Sequence, residues 1–101
     1  MTEKQLQTRI IKYLKNKGWL AMKGDYSLKG MPDIIAFRNG KTLMIEVKGA
    51  GIKPPPLQLH RIEQLKSLGI AAMWTNNFDE IKLKIDIIDI IDIIDQKIKE
   101  L

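Results

Sequence analysis

Residues Arg38-Asn39-Gly40-Lys41 stand between two β-rich apolar runs, Ile34 to Phe37 and Thr42 to Val47. Asn-Gly in that setting is the strongest short-range signal for a two-residue type I′ hairpin, because both central residues must take positive φ. With Asn39 and Gly40 as the loop, Arg38 faces Lys41, and the numbers of paired residues sum to 79. Leu43, Ile45 and Val47 then project from one face, and Ile35, Phe37 and Met44 from the other. A hairpin apolar on both faces belongs in a central sheet covered on both sides by helices.

The rest of the chain supplies those helices. Thr2 is placed to cap a helix whose apolar residues Leu6, Ile10, Ile11 and Leu14 recur at amphipathic spacing, and which ends near Asn16-Lys17-Gly18. Trp19 to Met22 reads as a short strand, and the glycine-rich segment from Lys23 to Pro32 as a loop. After a second loop, Gly49 to Pro56, the pattern predicts a helix from Leu57 to Leu68, closed by Gly69, and a strand from Ile70 to Thr75. That last strand follows a crossover helix, so it is expected to lie parallel to a hairpin strand. The sequence thus predicts a single small α/β domain, a central mixed sheet flanked by helices in the order α-β-β-β-α-β. Residues 1–78 form the core, and residues 79–101 a C-terminal helical extension of the same domain.

Charge and composition narrow the partners. Residues 1–78 carry 13 basic and 5 acidic side chains, whereas residues 79–101 carry 4 basic and 7 acidic. A strongly basic body suits a polyanion, since neutralising phosphates releases counterions; solubility alone is the plain alternative. The absence of cysteine excludes disulfides, thiolate metal sites and cysteine nucleophiles. No apolar run reaches the about 18 residues that a membrane span needs, and the first residues lack a signal-type apolar stretch, so an intracellular, cytoplasmic protein is expected. With one histidine in the chain, His60, any metal would be held mainly by oxygen.

The hairpin register makes a chemical prediction. Asp33 and Glu46 also sum to 79, so they should lie opposite each other on one face, with Lys48 two residues further along that same face. Two carboxylates so close require that one stay protonated or that a cation sit between them. Oxygen ligands without thiolate or imidazole favour a hard ion, Mg²⁺ or Mn²⁺. Such an ion polarises a phosphoryl oxygen and activates water, which is what phosphodiester hydrolysis needs. Taken singly, Asp after Pro is ordinary loop chemistry and Glu-x-Lys is an ordinary exposed pair. Their match in register is what raises them above that, and a single inserted residue would place them on opposite faces.

At these residues the chain resembles the PD-(D/E)xK nuclease superfamily, and more narrowly its VRR-NUC branch. The resemblance rests on Gly30-Met31-Pro32-Asp33, on Glu46-Val47-Lys48-Gly49, on a following proline-containing loop with Gln58 opening a helix, and on Glu3 near the start of the first helix. It spans roughly residues 3–75 and implies a restriction-endonuclease-like core. By that resemblance Asp33, Glu46 and the Val47 carbonyl would hold Mg²⁺ or Mn²⁺, and Lys48 would act on the attacking water or the transition state. Glu3 and Gln58 would be supporting site residues. Helical phase brings Glu3 within about 20° of Ile10, which points to a buried partner, while a role against the helix dipole is the alternative. For Gln58 the alternative is capping, and His60 is expected on the helix surface. Short stand-alone members of the branch resemble phage-encoded enzymes that cut branched DNA, including four-way (Holliday) junctions. The resemblance therefore implies a structure-selective, metal-dependent endodeoxyribonuclease with DNA as its partner, acting inside a host cell. A less selective nuclease of the same superfamily, or a DNA-binding or assembly module without turnover, are the competing readings.

Residues 85–95 read Ile-Asp-Ile-Ile-Asp-Ile-Ile-Asp-Ile-Ile-Asp. As a helix this repeat spreads its aspartates over half the circumference and leaves isoleucine on every side, so it should be buried against more than one surface. A helix contributing to a homodimer is expected, matching the two-fold symmetry of a four-way junction. A helix covering only its own core, or a strand, are the other possibilities.

Overall fold

The computed structural model describes residues 1–101. Helix α1, Glu3–Asn16, begins at a capping box: the Gln5 backbone N–H donates to Thr2 Oγ1 at 3.1 Å and the Gln5 side chain accepts from the Thr2 N–H at 2.9 Å. Its buried line is Leu6, Ile10 and Leu14. Strand β1, Leu20–Lys23, starts one residue later than the apolar pattern suggests. Trp19 belongs to the end of the helix, because its N–H donates back to the Leu14 carbonyl at 3.0 Å.

Strands β2, Ile34–Arg38, and β3, Lys41–Val47, form the expected hairpin, with Arg38 opposite Lys41 and Ile34 opposite Ile45. Asn39 and Gly40 take φ of 49° and 77°, the pair of positive values that a type I′ turn requires. Helix α2, Pro56–Ser67, opens with proline at its first position, where the missing N–H costs nothing. Strand β4, Ala71–Thr75, lies parallel to β3, and helix α3, Phe78–Lys99, closes the chain. The sheet order is β1-β2-β3-β4, a mixed four-stranded sheet with helices on both faces.

One face carries the main core, where Ile34, Leu43, Ile45 and Val47 pack beneath Ile10 and Leu14 of α1 and Ile81 and Ile85 of α3. On the other face, Met44 and Ala72 meet Ile62 and Leu65 of α2. Coverage of this second face is incomplete. A single helix lies over β3 and β4, so Leu20 and its cross-strand partner Phe37 stay exposed, at 63% and 41%.

α3 is helical throughout its isoleucine repeat, and its aspartates have partners within the chain. The Arg38 guanidinium, at the base of the hairpin turn, bonds Asp89 at 2.6 Å and Asp92 at 2.7 Å. Lys41 pairs with Asp92 and, at 3.6 Å, with Asp95. One turn earlier the Tyr13 hydroxyl donates to Asp86, which Lys82 also approaches at 3.2 Å. Burial opposes the charge on Asp92, but hydrogen bonds from Lys41 and Arg38 outweigh it and hold the carboxyl below its usual range. Arg38→Leu should therefore cost about 2–4 kcal/mol at neutral pH, visible as a Tm lower by roughly 10 °C or more. A carboxylate with a lowered folded pKa stabilises above about pH 4 and loses that contribution as pH falls through the folded value. The difference between variant and wild type should shrink in acid; a gap independent of pH would contradict this role for the pairs.

Candidate active site

Asp33 leads into β2 directly after the buried Pro32, and its carbonyl accepts a hydrogen bond from the Gly24 N–H at 2.8 Å. The Asp33 carboxylate turns towards the end of β3, where its Oδ2 accepts from the Val47 N–H at 2.9 Å. The β2–β3 ladder ends at Ile34–Ile45; beyond it the Val47 N–H bond holds the Asp33 carboxylate at the end of β3, close enough to Glu46 on the α2 face for the two charges to interact. Lys48, next along that face, holds its Nζ 3.6 Å from Glu46 Oε2. The β3–β4 pairing runs one step past the strand, with the Lys48 N–H donating to the Thr75 carbonyl at 2.9 Å. Glu46 is thus fixed within a paired strand, and Asp33 and Lys48, just outside β2 and β3, are each tied by a backbone hydrogen bond.

The electrostatics of this cluster are unusual. Glu46 is only 1% exposed, and neither of its carboxylate oxygens has a hydrogen-bond partner. Its pKa is pushed up to about 8, first by burial and then by the neighbouring Asp33 carboxylate, with Lys48 pulling the other way. Near neutral pH the pair therefore holds a proton in the metal-free protein. Of the two ways to relieve the repulsion, this is the protonated one; replacing the proton by a divalent cation is the other. Buried, unpartnered carboxylate oxygens beside a second carboxylate are the donor set that a hard cation takes. No group of three or more Asp, Glu or His side chains is placed so that it could hold a metal ion, here or elsewhere. An ion at this place would complete its shell with backbone oxygen and water, as Mg²⁺ commonly does.

The glycine of the Gly-x-Pro-Asp motif has a steric explanation. Gly30 has φ of +83°, and a β-carbon there would lie 2.9 Å from Leu57 Cγ and 3.0 Å from Arg61 Cγ on α2. The Arg61 Nε also donates to the Lys29 carbonyl at 3.0 Å, which straps the loop before Asp33 to the helix. Asn76 fastens the loop after Lys48 in the same manner, donating to the Ile52 carbonyl at 3.1 Å.

The supporting residues divide. Gln58 sits in the first turn of α2, one turn ahead of inward-facing Ile62 and two ahead of Leu65. α2 carries the chain back from the end of β3 to the start of β4, so this first turn lies over the end of β3. Gln58 Oε1 is buried without a partner, and α2 has no side-chain cap, so capping does not explain the residue. Glu3, in contrast, is exposed and forms no hydrogen bond or ion pair, which corrects the expectation of a buried partner. Helical phase does align Glu3 with Ile10, but residues 1–5 are all exposed, because the first turn of α1 projects past the end of the core. That turn still lies at the site end of the sheet, where Met1, Leu6 and Arg9 share a surface cavity with Ala50 and Asn76. His60 is exposed, as expected.

Sequence reading missed Tyr26. Its hydroxyl is buried and unpartnered, and its pKa is raised, first by burial and then by the charge of Asp33. The only available signal was a lone aromatic residue in the polar loop ahead of the Pro-Asp motif.

The raised Glu46 pKa makes a stability prediction. Below about pH 4.5 folded and unfolded chains both hold the proton; between there and about pH 8 only the folded chain does, so this contribution is lost as pH rises through about 8. With chelator present, Glu46→Gln should raise Tm by several degrees at about pH 8.5 and by much less at about pH 4.5. Equal shifts at the two pH values would contradict the shared proton.

Comparison with known proteins agrees with this architecture. A solved structure described as a VRR_NUC domain superposes with a TM-score of 0.75 at 24% identity, covering 85% of this chain and 97% of the other. A second, described as a VRR_NUC domain protein, gives a TM-score of 0.69 at 24% identity, covering 85% of this chain and 86% of the other. These likenesses show the fold, which is restriction-endonuclease-like. No curated protein matches the sequence. The family model for archaeal Holliday junction resolvase (Hjc) matches residues 3–72, which include both carboxylates, Lys48 and Gln58. By that match the chain belongs to the Hjc resolvase family, within the PD-(D/E)xK nuclease superfamily.

Proposed function

We propose that this chain is a divalent-metal-dependent endodeoxyribonuclease that hydrolyses phosphodiester bonds in branched DNA, four-way junctions in particular. The observation that carries the reading is the buried Glu46 beside the half-buried Asp33, with Lys48 next to it, in a chain of the resolvase family. Asp33, Glu46 and the Val47 carbonyl would hold Mg²⁺ or Mn²⁺. Bound there, the ion supplies Lewis acidity to the phosphoryl group and makes water a stronger nucleophile.

The chain's own groups do the rest. Glu46 would give up its proton to bind such an ion, so that both carboxylates could hold it as anions. The Lys48 ammonium, with a side chain 16% exposed, offers a charged donor to the attacking water or to the negative charge that develops on the phosphoryl oxygens. The Gln58 amide oxygen, buried and unpartnered, is free to accept from that water. Glu3, exposed in the first turn of α1, would act on substrate rather than within the buried cluster. Lys4, Lys12, Lys15, Lys23, Lys29 and Lys53 pair with no carboxylate, and so are available to phosphates along the DNA arms. No helix is long and apolar enough to cross a membrane, and the proposed place of action is inside the cell, where such DNA occurs. Coordinated cutting of two strands needs two sites, so the proposed active species is a two-fold pair of chains.

Labelled four-way junction, flap and linear duplex DNA, each with Mg²⁺, Mn²⁺ or chelator, test the proposal. Junction cutting should require the metal, and Asp33→Asn or Lys48→Met should lower kcat by about 10²–10⁴ without unfolding the protein. Cutting that survives chelation, or equal rates for wild type and Asp33→Asn, would overturn it.

A further inference from the structure

α3 begins at Phe78, beyond the residues 3–72 that the family model matches. Its inner face is spent on the body of the protein, through Ile81, Ile85 and Asp92. The outer face is apolar and open: Leu83, Ile87, Ile90 and Ile94 are 61%, 46%, 56% and 51% exposed. These residues are not scattered. They follow one another at intervals of four, three and four, the a/d repeat of a two-stranded coiled coil. Ile91 and Ile98, 47% and 60% exposed, widen the stripe on one flank. Continuing the repeat outward gives Glu80 at an a position before Leu83, and Lys97 at a d position after Ile94.

We infer that this outer face is a seam for a second copy of the same chain, with the two α3 helices packed antiparallel. The inference deepens the proposed pairing of two copies by assigning its surface and its direction. Antiparallel packing sets a positions against d positions, giving Leu83 on the partner's Ile94, Ile87 on the partner's Ile90, and their two-fold equivalents. Four apolar layers form the middle of the seam. At either end Glu80 meets the partner's Lys97, so opposite charges close the seam. Parallel packing would instead stack Glu80 on the partner's Glu80 and Lys97 on the partner's Lys97, two like-charge contacts. Charge complementarity therefore selects the direction, and the surface is self-complementary in the manner that a closed two-fold dimer requires.

The consequence for the enzyme is geometric. α3 starts at the site end of the sheet and runs to the hairpin turn, where Arg38 and Lys41 hold its aspartates. Antiparallel pairing would direct the two carboxylate sites towards opposite ends of the dimer, each engaging its own strand.

The chain has no cysteine, so introduced ones report unambiguously. In solution without DNA or metal, light scattering should give twice the chain mass. Leu83→Cys mixed with Ile94→Cys should form a disulfide-linked dimer under mild oxidation, while neither variant links to itself. Glu80→Lys should weaken dimerisation at least tenfold, and adding Lys97→Glu should restore it to within about threefold, with helix content unchanged by circular dichroism. A monomer mass, self-linking of each single variant, or no rescue by the double charge swap would overturn the seam. Because no step involves cleavage, such a failure would leave the nuclease reading to stand or fall on its own assay.

Discussion

The backbone pairing of β2 with β3 is the constraint from which the rest follows. Asn39 and Gly40 accept two positive φ values, and that turn fixes which residues face each other along the whole hairpin. Shifting the register by one would move Glu46 from the α2 face into the main core and leave Asp33 without its counterpart. The same register sends Arg38 and Lys41 to the α3 face, where they meet the aspartates of the C-terminal helix. A single turn thus positions the chemistry at one end of the hairpin and anchors the last helix at the other.

Energetically the two ends are opposites. The Arg38–Lys41–aspartate cluster combines unlike charges in good geometry and holds α3 onto the sheet. The Asp33–Glu46 pair sets a buried carboxylate beside a second one and works against folding as the pH rises. Such a local conflict in an otherwise consistent structure is where function is expected. What sustains it is rigidity, since β-pairing on both sides of β3, the Arg61 bond to the loop before Asp33 and the Asn76 bond to the loop after Lys48 allow the carboxylates little room to separate.

Much of this was legible in the sequence for identifiable reasons. The type I′ turn has a nearly unique chemical signature, and counting outward from it gave the β2–β3 register from Arg38–Lys41 to Ile34–Ile45. Helix α1 and the parallel placement of β4 followed from apolar period and crossover length. Illegible features were those without a local signature. Arg38 reaches aspartates more than fifty positions away, and nothing near either partner announces the bond. Helical phase put Glu3 on the correct side of α1 but could not show that the core ends before the first turn. Phe37 looked as though it should be covered, because one strand's pattern does not reveal how much of a sheet a single helix spans. Tyr26 lies in a loop, where no period exists to read.

Proton release on metal binding tests the central claim most directly. Mn²⁺ can be titrated into the protein at about pH 7 by calorimetry, in buffers of different ionisation enthalpy, so that the protons released per ion are counted. A carboxylate pair that shares a proton and exchanges it for the ion should release about one proton per Mn²⁺ bound, and Glu46→Gln should release none. Binding with no proton release in the wild type would contradict the account.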